Sequence, residues 1–165
     1  MQIPYAGLIF VAGLVLAATP SLAADLPKGG MTANEIAVWL KQGGYPAEVK
    51  QDLSTPSDQI VATSTDGVDA EIYLFGCAGE GDARRCASIQ YVTASAAAPN
   101  VTLAKVNAWN ATHRYIKAYL ADRNALYGEY DLDVSPGGAY EMLDESLRNW
   151  RGAIAEFKTF FAPAA

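Results

Sequence analysis

The sequence predicts an α+β domain with a mainly antiparallel sheet of five to six strands and three helices. The expected order is helix, four strands, helix, two strands, long C-terminal helix. Three observations carry this reading. Alternating apolar and polar residues recur in short runs between Ala47 and Val134, each closed by turn residues. These runs come in groups separated by helical stretches, which favours an antiparallel sheet over a wound parallel one. Near the end, Tyr140, Leu143, Leu147, Trp150, Ile154, Phe157 and Phe161 alternate spacings of three and four, the seam of a long amphipathic helix.

The segment before the domain reads as a signal peptide, residues 1–23. Tyr5 to Ala18 is apolar, Pro20 ends the run, and Ser21-Leu22-Ala23 puts small residues where a signal peptidase reads them. Cleavage before Ala24 sends the chain to the periplasm or outside the cell. The run is shorter than the roughly 18 apolar residues of a membrane span, so no stable membrane insertion is expected after cleavage. It departs from the usual pattern in having no Lys or Arg before Lys28, and a retained anchor is the alternative. No Cys lies near the cleavage site, which argues against a lipid anchor.

Residues 24–30 read as a short tail and 31–162 as the domain. Thr32 and Glu35 have the capping-box spacing, and Ile36, Trp39 and Leu40 give the first helix one apolar face. Gly43-Gly44 ends it and Pro46 keeps it from resuming. Ala47 to Asp52 is a weak strand and Gln59 to Ser64 a second. Asp66-Gly67 signals a hairpin into a third strand, Val68 to Cys77. There Val68, Ala70, Ile72 and Leu74 share one face, and Asp69, Glu71, Tyr73 and Phe75 the other. Arg85 to Thr93 closes a four-stranded meander. Ala94 to Asn100 reads as a linker, and Thr102 to His113 as a second helix burying Leu103, Val106 and Trp109. Tyr115 to Ala121 and Leu126 to Val134 are the last two strands.

The formal net charge is −6 and the pI about 4.7. Beyond the Arg84-Arg85 pair there is no basic cluster, so nucleic acid and anionic membrane surfaces are poor candidate partners, and no nucleic acid is expected. Cys77 and Cys86 are the two cysteines. An even count in an exported chain points to a disulfide, closing a polar loop worth roughly 2–3 kcal/mol. Two thiols and the distant His113 make a poor zinc set.

No catalytic constellation is visible, and no cofactor or metal is expected. His113, the single histidine, has no nucleophile or carboxylate beside it and suits the carbonyls of a helix end. Glu129, Asp131 and Asp133 alternate along one strand. They could attract a cation, although a solvated outer face explains them. Gly76, Gly79 and Gly81 lack the Lys-Ser or Lys-Thr of a phosphate loop. One surface stands out. Tyr115, Lys117, Tyr119, Tyr127 and Glu129 are expected on the sheet face opposite Ile116 and Ala118, with Tyr73 and Phe75 able to join. Aromatics interleaved with charges suit peptide recognition. Phe157, Phe160 and Phe161, on the outer turns of the last helix, are the candidate surface for a second copy.

The helix KVNAWN, the HRY that follows, the strand IKAYL, the acidic strand GEYDLDV, the glycine-rich break and the terminal amphipathic helix together resemble the YbjN domain family. The AVWLKQGGY ending of the first helix and the FGC…RRCASIQY hairpin look like its exported bacterial subgroup. The likeness runs from about Met31 to Phe161. It implies a fold similar to the type III secretion chaperones, small acidic proteins that often dimerise and bind segments of other proteins, and it brings no catalytic residues. The expected function is an exported, non-catalytic protein-interaction module, chaperone-like or regulatory, with a protein partner or self-association. The alternative is a small-ligand or metal-sensing periplasmic domain.

Overall fold

Helix α1 (Ala33–Gln42) begins where Thr32 accepts from the Glu35 amide at 3.1 Å and the Glu35 carboxylate accepts from the Thr32 amide at 3.0 Å. That reciprocal pair satisfies two of the donors a helix start leaves open. After Gly44 in a left-handed turn, the chain enters β1 (Ala47–Gln51) and β2 (Gln59–Thr65). Asp66 and Gly67 both take positive φ, as a two-residue hairpin turn requires, and lead into β3 (Val68–Ala78). The fourth strand, β4 (Arg85–Ala96), is longer than its alternation suggests. It absorbs the first residues of the expected linker by pairing with a later strand as far as Ala96. Helix α2 (Leu103–Thr112), capped by Thr102, is followed by β5 (Lys117–Ala121), β6 (Ala125–Asp133) and α3 (Tyr140–Phe161).

The structure, a computed structural model, describes residues 24–53, 55, 58–135 and 138–163; the expected signal peptide lies outside them. The described strands form one antiparallel sheet in the order β1-β2-β3-β4-β6-β5. The first four are the expected meander. The chain then crosses by way of α2 to the far edge and returns inward, so β6 lies between β4 and β5.

One hydrophobic core forms between a single face of the sheet and the three helices. Val61, Ala70, Ile72, Ile89, Tyr91, Ala118 and Leu126 meet Ile36 and Leu40 of α1, Val106 and Trp109 of α2, and the seam of α3. Each tryptophan has a polar partner for its ring N–H. Trp39 donates to Asp144 at 2.8 Å, Trp109 to the Ile116 carbonyl at 2.7 Å and Trp150 to the Thr65 hydroxyl at 3.2 Å. Large rings are thereby buried without an orphaned donor. Leu103 corrects the α2 expectation: it is 68% exposed, because it stands in the first turn beyond the reach of the sheet.

The short tail is held down along its length. Asp25 bridges to Ala139, Leu26 donates to the Gly138 carbonyl, and Met31 pairs with Cys86. Leu26 and Met31 are core residues. Cys77 and Cys86 face each other across β3 and β4 and form a disulfide.

Candidate functional site

Because all three helices pack on one face, the register determines what the other face displays. Side chains alternate along a strand, so the partners of core residues point to the core and their neighbours point away. Lys117 pairs with Glu129, Glu129 with Val92, Val92 with Glu71, Glu71 with Ala62 and Ala62 with Glu48. This row crosses all six strands on the uncovered side. Beside it run Tyr119, Tyr127 and Ala94 on one flank, and Asp131 and Gln90 on the other. Carboxylates predominate: Glu48, Asp69, Glu71, Glu129, Asp131 and Asp133 stand against Lys50 and Lys117.

At the β5 end the face is cross-linked by polar contacts. Lys117 Nζ lies 2.8 Å from one oxygen of Glu129, and the Tyr119 hydroxyl donates to the other at 2.6 Å. The Tyr119 and Tyr127 rings stack 5.0 Å apart and nearly parallel. Gln90 donates to Asp131 at 2.7 Å. Towards β3, the Tyr73 hydroxyl donates to Glu71 at 2.8 Å. Partial burial pushes the Tyr73 and Tyr119 phenols above their usual range, and the carboxylates they bond push them further. The Glu129 carboxylate raises the Lys117 amine.

Between these groups the face dips into a trough of about 700 Å³. Ala62, Ser64, Val92 and Ala94 give it a shallow floor, Tyr73 and Tyr127 stand as walls, and Glu48, Asp69 and Glu71, with Lys50 beside Glu48, line a mostly acidic rim. Small floor side chains between aromatic walls suit an extended or helical segment laid across the sheet.

The structure brings together Lys117, Tyr119, Tyr127 and Glu129 on this face, with Tyr73 and the exposed Phe75 on the same side. It does not bring Tyr115. That residue has φ +69°, and the left-handed turn breaks the alternation just before β5. Its ring meets the edge of Tyr130, which stacks on the buried Tyr91 on the helix side. Of the rings expected at a dimer surface, Phe157 and Phe161 are 5% and 6% exposed. They pack against Trp109, because α2 lies over the last turns of α3. Only Phe160 keeps part of its surface outside. His113 stacks on Trp109 at 3.8 Å, with Nδ1 3.3 Å from the Trp109 carbonyl, at the helix end as expected. Glu129, Asp131 and Asp133 each have a protein partner, and no group of metal-binding side chains occurs among the described residues. No helix of the described residues is long and apolar enough to cross a membrane.

Residues 32–163 match the YbjN family profile, described as "Putative bacterial sensory transduction regulator". The chain belongs to the YbjN family. Among solved structures, the YbjN domain described here is similar to YbjN from E. coli, itself described as "a putative transcription regulator". The two superpose with a TM-score of 0.50 at 22% identity, over 76% of this chain and 90% of the other. That likeness supports the fold. No curated protein matches the chain.

The trough floor of this YbjN domain is what sequence reasoning missed. Ala62, Val92 and Ala94 are unremarkable alanines and valines in alternating strands. The available signal was their position opposite the core residues, and it becomes a surface only when the strand order is known.

Proposed function

We propose that this YbjN-family chain is an exported bacterial protein-interaction module with a regulatory or chaperone-like role and no catalytic chemistry of its own. One observation carries the proposal: one face of the sheet has no helix packed on it among the described residues, and it holds an acidic, aromatic-walled trough. A single sheet normally buries both faces or solvates one with polar side chains. Here tyrosines and small apolar residues share the open face with the carboxylates, the mixture that protein-binding surfaces use. The family description supports the regulatory part of the reading, and the small acidic α+β form supports the chaperone-like part. The partner is a segment of another protein with apolar and basic side chains, matched to the trough and its rim.

A photo-crosslinking residue placed at Ala62 or Ala94 in living cells tests this. The expected result is an adduct of discrete mass from both positions, and none from Asn34, which is exposed on α1. Trough positions that give no adduct, or the same products as Asn34, would overturn the proposal.

A further inference from the structure

The two edges of the sheet are finished differently. At the β5 edge, α2 supplies the bonds that a further strand would make. The Asn110 side chain donates to the Ala118 carbonyl at 2.9 Å and accepts from the Ala118 amide at 2.8 Å. Trp109 donates to the Ile116 carbonyl beside it. With both backbone groups of Ala118 occupied, the addition of another strand is obstructed there. Among the described residues, no helix side chain is bonded in this way to Glu48, Val49 or Lys50 at the β1 edge. No strand lies beyond it among the described residues, and Glu48 and Lys50, 3.5 Å apart on the open face of the sheet, are exposed.

We propose that β1 pairs antiparallel with β1 of a second copy, about a two-fold axis through Val49, joining the two sheets into one. The strand reads AEVKQ, and its charges are self-complementary about the central valine. The pairing sets Glu48 opposite the partner's Lys50 and Lys50 opposite the partner's Glu48, as an isologous contact requires. The register is selective. An axis through Glu48 opposes two carboxylates, and one through Lys50 opposes two amines. An axis between residues turns one uncovered face to the opposite side, since side chains alternate with period two. The chosen register also carries Leu53, 98% exposed just past the strand, towards Tyr45 of the second copy. Glu48 and Lys50 also line the trough, so the joined sheets would set the two troughs side by side.

Sedimentation velocity across a dilution series of the purified protein tests it. The wild-type chain is expected to run as a dimer that dissociates on dilution. Lys50→Glu and Glu48→Lys should each weaken the dimer by about tenfold, since each replaces two attractive pairs with two repulsive ones. The double variant Glu48→Lys/Lys50→Glu restores complementarity and should recover wild-type association. Lys50 also lies 3.5 Å from Glu48 of its own strand, so an equimolar mixture of the two single variants, complementary between chains but not within them, should recover association as well, which relief of general destabilisation could not produce. A wild-type monomer at every concentration, a dimer indifferent to the single changes, or a double variant that stays dissociated would each overturn the proposal.

Discussion

The Glu35 carboxylate receives both terminal nitrogens of Arg85, at 2.7 and 2.9 Å, across fifty residues of sequence. Glu35 also closes the capping box of α1, and Arg85 opens β4 while donating to the Gly30 carbonyl at 2.8 Å. One ion pair therefore joins the helix start, the segment before it and the middle of the sheet. Partial burial acts to raise the Glu35 carboxyl, but the Arg85 guanidinium and the Thr32 amide outweigh it and hold the acid below its usual value. A lowered folded value means stability that is present above the unfolded Glu value of about 4.3 and is lost as pH falls through the folded one. Replacing Glu35 with Gln should cost about 1–2 kcal/mol near neutrality. In melting curves taken over a pH series, the gap between wild type and variant should close in acid. A gap that persists there would assign the loss to packing instead.

The alkaline limb has the opposite sign. Tyr73, Tyr91 and Tyr119 are raised chiefly by burial, and Lys117 chiefly by its bond to Glu129. Raised folded values contribute stability that is complete below the unfolded values, about 10 for Tyr and 10.4 for Lys, and fades as pH climbs through the folded ones. Phenolate absorbance should therefore rise in two steps. The second step, from these raised phenols, should coincide with loss of the far-ultraviolet helical signal. Replacing Glu129 with Gln should weaken the hold on Tyr119 and Lys117 and move the second step to lower pH.

Gly30 has φ +88°, and a Cβ placed on it would lie 1.9 Å from the Cys86 carbonyl oxygen. Neither the backbone conformation nor the space admits a side chain. Gly30→Ala should destabilise by about 3 kcal/mol, while Ala at Gly67, which also has positive φ but open space around it, should cost nearer 1 kcal/mol. Denaturant unfolding of the two variants measures the difference. Equal losses would show that the segment before α1 can lift off Cys86 without cost.

The Cys77–Cys86 disulfide closes a short loop between opposed residues of β3 and β4. Replacing both with Ser should lower stability by about 2–3 kcal/mol, with Cys86 the costlier single change because it is buried against the Met31 pairing. The same preparation tests export. Intact mass of the protein from the periplasmic fraction should correspond to a start at Ala24 with both cysteines oxidised. A full-length mass, or free thiols, would contradict that expectation.

Much of the fold is legible because its signals are local. The Thr32–Glu35 box, the Asp66-Gly67 turn and the seam of α3 each depend on residues within a few positions of one another, and each reappears at its expected place. The site is less legible. Tyr115 follows the alternation of β5 on paper, yet one left-handed residue sends its ring to the helix side. Phe157 and Phe161 look like an outer apolar surface until α2 is placed over them.

The sequence by itself determined the α+β class, the succession of helices and strands, the paired cysteines and the amphipathic faces, since periodicity, caps and turns are properties of neighbouring residues. Only the tertiary structure decided that β6 lies between β4 and β5, that Lys117, Glu129, Val92, Glu71 and Ala62 fall in one row, and that Asn110 occupies one edge while β1 forms the other edge of the described sheet. These follow from strand order and register, which are set by long-range burial of one face and have no signature in any single stretch of the chain.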